Sequence, residues 1–220
     1  MVFVNVRRAF DIFSAVIGLF LLSPLFLLIA AAIKIEDGGK VFYAQPRIGL
    51  GFRNFWLLKF RSMVPDAEAM CPITMADDRR ITTVGRFIRN YKLDELPQLI
   101  NVLRGDMALV GSRPELERYV EMFRFEYAEL LQDRPGITDP ASIAFRDEQS
   151  QLGNGNVEEE YVSRILPEKL KLSIGYMRDR TFFSDLDVLI RTVLGRNPGE
   201  PRSISSREES DMHKRSASRH

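Results

Sequence analysis

Hydrophobic positions in this chain first run together without interruption and then settle into periodic patterns. Ala15 to Ile33 reads AVIGLFLLSPLFLLIAAAI, nineteen residues without a charge, between Arg7, Arg8 and Asp11 on one side and Lys34 and Glu36 on the other. A spanning helix, a signal peptide ending near Ala30-Ala31-Ala32, and a helix that enters one leaflet and returns all fit this length. Ser23-Pro24 at mid-segment favours the third. Proline removes a backbone hydrogen bond and clashes with the preceding turn, so the helix is expected to bend or break there. Each arm of roughly nine residues covers about 14 Å, close to one leaflet. Cations flank both ends (Arg7 and Arg8; Lys34, Lys40, Arg47 and Arg53), and the positive-inside tendency would keep both ends cytoplasmic.

Beyond Gly38-Gly39 the period shortens. Val41 to Tyr43 and Phe55 to Phe60 are β-type runs around the glycine-containing link Arg47 to Gly51, which predicts a small hairpin. The pattern then turns helical. Val84, Phe87, Ile88 and Tyr91 fall at i, i+3, i+4 and i+7 behind the cap candidates Thr82 and Thr83. Leu96, Leu99, Ile100 and Leu103 make a second stripe, and Leu116 to Leu131 a long third one. Pro167 is expected to begin another helix. Ser184 with Asp187 suggests a capping box ahead of Leu186, Leu189, Ile190, Val193 and Leu194. These stripes suit a core or a membrane surface. From Asn197 onward apolar content falls away and a disordered tail is expected. The fold class is therefore mostly α with a small β-hairpin: a membrane-embedded N-terminal segment over 1–36, a compact helical domain over 37–196, and a tail over 197–220.

Composition changes the picture mainly by exclusion. A formal net charge of +1 on 220 residues offers no basic excess to drive nucleic-acid binding. The two histidines, His213 and His220, both sit in the tail, so neither a histidine metal site nor a histidine base is expected in the body of the chain. Cys71 is the single cysteine, which excludes an internal disulfide and a zinc cluster. Carboxylates, arginines, lysines and a metal are left to carry any chemistry.

Those groups gather in one stretch. Asp94 and Glu95 precede a helix whose start is marked by Pro97, and Arg79, Arg80, Arg86, Arg89 and Lys92 come just before them. The plain structural account makes Asp94 an N-cap and Glu95 a first-turn acid. The functional account is a phosphate site beside a carboxylate kept ionised by cations, and carboxylates do act as covalent nucleophiles. A divalent ion such as magnesium could bridge a carboxylate and phosphates. Arg113, between Gly111 and Pro114, suits bidentate phosphate binding, although Gly-x-Arg-Pro is also an ordinary turn. Lys59 and Arg61 at a strand end, and Arg146, are further phosphate candidates beside their bland roles as solvated charges.

Taken together, these pieces resemble the monotopic phosphoglycosyl transferases, or bacterial sugar transferases, in minimal form. The resemblance rests on Arg7-Arg8, Ser23-Pro24, Gln45-Pro46-Arg47-Ile48-Gly49 and Lys59-Phe60-Arg61-Ser62-Met63. It continues through Leu93-Asp94-Glu95-Leu96-Pro97-Gln98-Leu99, Asn101 to Met107, Gly111-Ser112-Arg113-Pro114-Glu115 and Pro135-Gly136-Ile137-Thr138. It implies a re-entrant membrane helix that breaks at Ser23-Pro24, and a catalytic domain on the cytoplasmic face of the bacterial inner membrane. It implies a magnesium-dependent, two-step reaction, with Asp94 also touching the metal. Asp94 attacks the sugar-bearing phosphate of a UDP-sugar and releases UMP. A polyprenol phosphate, usually undecaprenyl phosphate, then takes the phosphosugar in the first membrane step of glycan assembly. Glu95 assists as a metal-proximal acid or base. Ser112 stands where the family often has proline, and Asp139-Pro140-Ala141-Ser142 where it commonly continues Gly-x-Ala-Gln, so the sugar does not carry over. A different class, a non-catalytic membrane-anchored module binding anionic lipid or nucleotide, also explains the cations and the apolar segment, but does not require the paired acids.

Overall fold

Thirty-six consecutive residues, Val2–Asp37, form helix α1 in the computed structural model, which describes residues 2–64, 78–146 and 157–195, with side chains from residue 6. Cys71, both histidines and the expected tail lie outside the described residues. The break expected at Ser23-Pro24 is not present: α1 runs unbroken through Pro24. The local reason is visible. Pro24 has no N–H for the Phe20 carbonyl, and the Ser23 hydroxyl donates to that carbonyl instead at 2.8 Å. The helix-break-helix expected over 1–36 is therefore one helix of about 54 Å.

One face of α1 packs along its length. Phe10 and Ala15 join Leu57, Val102, Met107, Leu109 and Val188 in one core cluster, and Leu25, Phe26, Ile29 and Ile33 join Phe60 and Ile88 in another. The opposite face, with Phe13, Val16, Phe20, Leu21, Leu27 and Leu28, is exposed. Both ends are tied to the same body. Arg8 donates to the carbonyls of Val102 and Met107, while Glu36 accepts from the backbone N–H groups of Thr83 and Val84.

The expected hairpin is present and longer than its apolar runs. Strand β1 (Phe42–Ile48) pairs antiparallel with β2 (Asn54–Phe60), from Phe42 opposite Phe60 to Ile48 opposite Asn54. Its link turns through Gly51 at φ 61°. Helix α2 (Thr83–Asn90) starts at Thr82, whose side chain accepts from Gly85 N–H as the cap motif predicts. A 3-10 turn (Leu93–Glu95) leads to α3 (Gln98–Arg104). A second, parallel pair joins β3 (Ala108–Val110) to β4 (Gly136–Thr138). Three-residue strands leave no readable alternation, so sequence patterning misses them.

The long stripe from Leu116 to Leu131 splits into α4 (Glu117–Met122) and α5 (Arg124–Leu130) at Phe123, which leaves helical geometry at φ −119°, ψ 42°. Tyr119, Val120, Tyr127 and Leu130 nonetheless enter one core with Tyr161, Ile165, Leu166 and Leu170. Helix α6 (Pro140–Ala144) follows β4. Helix α7 (Val157–Glu160) passes through a π turn (Tyr161–Ile165) into α8 (Leu166–Arg178). Pro167 stands in the first turn of an α-helical segment, as expected, but that segment follows other helical residues without a break. The widened turn accommodates the proline, which has no N–H to offer. Helix α9 (Phe182–Leu194) starts earlier than expected, with Thr181 and Ser184 forming the capping box. Asp185 and Val188 face inward, whereas Ile190, Val193 and Leu194 stay exposed.

Candidate active site

Asn101 sets the geometry. Fully buried on α3, its side chain accepts from Leu58 N–H (2.9 Å) and donates to the Trp56 carbonyl (2.7 Å), which clamps α3 against β2. Lys92, in left-handed geometry at φ 56°, ends the turn after α2 and aims the next residues back at β2. Asp94 and Glu95 thereby arrive beside Lys59. The loop after β3 brings Arg113 to the same place.

The two acids have different fates. Glu95 receives both terminal nitrogens of Arg113, one at 3.1 Å to Oε2 and a shorter contact to Oε1, and the Lys59 ammonium at 3.4 Å. Burial pushes its pKa upward, but Arg113 and Lys59 outweigh that and hold the carboxyl well below the usual range. Both Glu95 oxygens are thus taken up by the cations around it. Asp94 is 6% exposed, and its Oδ1 is buried without a hydrogen-bond partner. Burial raises its pKa and the Glu95 charge adds to that, against the pull of Lys59, Arg89 and Lys92. Burial likewise lowers the Lys59 pKa, against the pull of Glu95. The N-cap account of Asp94 fails, because α3 begins at Gln98 with Pro97 at its cap, and no side-chain cap bond is made there. Asp94 is thus a buried carboxyl with an unpartnered oxygen among cations, and not the cap of α3.

The structure brings Lys59, Asp94, Glu95 and Arg113 together, with Arg89 near enough to act on Asp94. Arg61 goes elsewhere, pairing with Asp37 at the end of α1. The Arg146 guanidinium lies toward Gly195 at the end of α9. Behind Arg113 stands a group that local patterns did not single out. Arg47 pairs with Glu115 at 3.0 Å, Tyr161 donates to Glu115 at 2.7 Å, and Lys169 approaches the Tyr161 hydroxyl at 3.4 Å. Glu115 and Arg47 lie inside the family-like motifs; Tyr161 and Lys169 sit on ordinary helical faces with no local signal.

Of the two departures from the family pattern, one has a structural use. At Ser112 the backbone carbonyl accepts from Gly136 N–H at 2.9 Å and ties the arginine loop to β4, a bond that a proline there would make equally. Asp139 caps α6, accepting from Ser142 N–H and the Ser142 and Ser173 hydroxyls, with Pro140 at the start of the helix. Its carboxylate is committed to the fold.

For a divalent ion the available donor is Asp94. Among the described residues no cluster of three or more acids, histidines or cysteines forms. Both Glu95 oxygens are engaged. One open carboxylate oxygen fits magnesium, which takes few protein ligands and completes its shell with phosphate and water.

Residues 3–196 match the model of a family described as Bacterial sugar transferase. Among curated proteins, the exopolysaccharide production protein ExoY of Rhizobium meliloti is 36% identical over 203 residues, covering 85% of this chain and 83% of that protein. A UDP-glucose:undecaprenyl-phosphate glucose-1-phosphate transferase of Caulobacter vibrioides is 36% identical over 192 residues, with coverage of 85% and 68%. A UDP-N-acetylgalactosamine-undecaprenyl-phosphate N-acetylgalactosaminephosphotransferase of Aeromonas hydrophila is 34% identical over 198 residues, 87% of this chain but 44% of that longer protein.

Proposed function

This chain belongs to the bacterial sugar transferase family, and from that membership and the state of Asp94 we propose that it moves a sugar-1-phosphate from a UDP-sugar to a polyprenol phosphate through a covalent aspartyl intermediate. It is a phosphoglycosyl transferase by kinship. The substrate classes are those named for its relatives, with undecaprenyl phosphate the natural acceptor. The observation that carries the mechanism is the buried Asp94 oxygen left without a partner beside a carboxylate whose own oxygens are taken.

An Asp94 oxygen attacks the sugar-bearing phosphorus. The bond from that phosphorus to the bridging oxygen breaks, and UMP departs with the electron pair. Lys59, Arg89 and Lys92 favour the ionised nucleophile. Arg113, fastened by Glu95, presents a guanidinium that can turn toward the incoming phosphates. An oxygen of the polyprenol phosphate then attacks the same phosphorus, and Asp94 leaves as a carboxylate. Magnesium held by Asp94 would neutralise charge developing on the phosphates. UMP release from a panel of UDP-sugars, with membranes holding the full chain, tests the assignment. No UMP from any sugar, with intact protein present, removes it.

We also place α1 in one leaflet of the cytoplasmic membrane, its ends and the catalytic domain facing the cytoplasm. By length and composition alone α1 could cross a bilayer. The support for this placement, with the unbroken helix lying in the leaflet rather than turning back inside it, is that Arg8 and Glu36, at opposite ends, are both bonded to the same body, while the intervening apolar face is exposed. With Cys71 replaced, cysteines at Val6 and Lys40 should both resist a membrane-impermeant thiol reagent applied to intact cells. Strong labelling at Val6 alone would mean a true span.

A further inference from the structure

Gln98 is the buried group at the site for which the chemistry above has no use. Asp94, Gln98 and Asn101 fall at i, i+4 and i+7 and are all buried, whereas Leu99 and Ile100 between them are partly open. This face lies against β2, because Asn101 spends its amide on Leu58 and Trp56 there. Gln98 sits one turn nearer to Asp94. It is 2% exposed, and its Nε2 has no hydrogen-bond partner. The unpartnered atom nearest in sequence is Asp94 Oδ1. A buried amide N–H left unpaired costs stability, and an apolar residue of the same shape would avoid that cost. The two residues are four apart, Asp94 in the 3-10 turn and Gln98 at the start of α3, and both elements pack against β2.

We propose that Gln98 is a positioning residue that acts through Asp94, its amide N–H donating to the carboxyl oxygen that is not bonded to phosphorus during turnover. The inference rests on the covalent mechanism proposed above. In the free enzyme the amide does not engage Asp94, so it takes nothing from the nucleophile before attack. In the second step the Asp94 oxygen–phosphorus bond breaks, a polyprenol phosphate oxygen forms the new bond, and the electron pair returns to the carboxylate. Half of that returning charge falls on the carboxyl oxygen not bonded to phosphorus, where the Gln98 amide can meet it. A donor there is stronger in that transition state than before it, which is the condition for accelerating a step. That oxygen has a second lone pair, so a metal contact is compatible. Gln98 therefore assists breakdown of the intermediate more than its formation.

Gln98→Met keeps the shape and deletes the donor. During turnover with UDP-sugar and polyprenol phosphate, the variant should release its first equivalent of UMP at close to the wild-type rate. Its kcat should fall about 10- to 100-fold, the usual worth of a hydrogen bond to a charged group. Intact mass of quenched enzyme should then show more phosphosugar adduct than wild type, and Tm should be equal or higher. Gln98→Glu, which also loses the donor and places a charge beside the carboxylate, should be slower still. Wild-type turnover in Gln98→Met overturns the proposal. So does a kcat loss without added adduct, and so does a lowered Tm with the first UMP release slowed in parallel, which is what a purely structural glutamine predicts. If wild type itself forms no adduct and shows no initial UMP release, the covalent mechanism fails and this inference falls with it. A normal wild-type adduct with an indifferent variant removes the inference alone.

Discussion

Asp94→Asn should leave a folded, membrane-inserted protein whose UMP release is lower by about 10⁴-fold or more, the scale seen when a covalent nucleophile is removed. Asparagine matches aspartate in size, but its neutral amide cannot supply the anionic oxygen that bonds to phosphorus. Folding should not suffer. Burial and the neighbouring Glu95 charge raise the Asp94 pKa, which means the ionised form is held at a cost in the native state. The sign follows directly: a carboxyl raised on folding destabilises at pH values above its unfolded pKa. The neutral amide removes that burden, so Tm at neutral pH should stay level or rise. Assay of UMP and melting of the same preparation give both numbers. Turnover within about tenfold of wild type would sink the assignment of Asp94, whereas inactivity with a collapsed Tm would mean the residue was structural.

Gly136→Ala should produce a large loss of stability. A Cβ at Gly136 would lie 2.1 Å from the backbone nitrogen of Gly111 and 2.5 Å from its carbonyl oxygen. Neither atom belongs to a side chain that can swing away, so β3 and β4 must separate. Their cross-links are then strained: Gly136 N–H to the Ser112 carbonyl, Gly111 N–H to the Thr138 carbonyl, and Ala108 N–H to the Pro135 carbonyl. A cost of about 3 kcal/mol is expected, a fall in Tm of roughly 6–12 °C for a chain of this size. Activity should drop as well, since Ser112 precedes Arg113 and any shift draws the guanidinium from Glu95. Gly175→Ala is the natural contrast. It lies within α8, where an added Cβ meets nothing within 4 Å, and should stabilise by about 0.5–1 kcal/mol. Equal melting of the two variants would show that the β3–β4 approach is not tight.

Patterning predicted best where one segment carried its whole signal. Thr82 followed by Val84 and Ile88 names α2 and its cap because a hydroxyl, a first turn and an apolar face sit within a few residues. The hairpin was legible for the same reason, its glycine link falling between two apolar runs. Where two local solutions compete, packing chooses. Both Thr181 and Ser184 can cap, and the earlier start prevails where it leaves Asp185 facing Arg180 and Arg7. At Phe123 no glycine or proline announces the break between α4 and α5. Pro24 taught the reverse: a proline signal was sound, yet the neighbouring Ser23 hydroxyl satisfied the freed carbonyl and the helix continued.

Residue type and short spacing were enough to establish the family, the absence of histidine and disulfide chemistry from the body of the chain, the apolar membrane segment and the pair Asp94-Glu95 among cations. Which acid the cations close on had to wait for packing across elements. Arg113 lies 18 residues after Glu95 and Lys59 lies 36 before it, and both close on Glu95 rather than Asp94. Packing likewise sent Arg61 to Asp37, set Arg47, Glu115, Tyr161 and Lys169 behind the arginine loop, and left the Gln98 amide unpaired. Charge pairing and desolvation depend on distances between elements, which become definite only when Asn101 clamps α3 to β2 and the β3–β4 pair fixes the loop that carries Arg113.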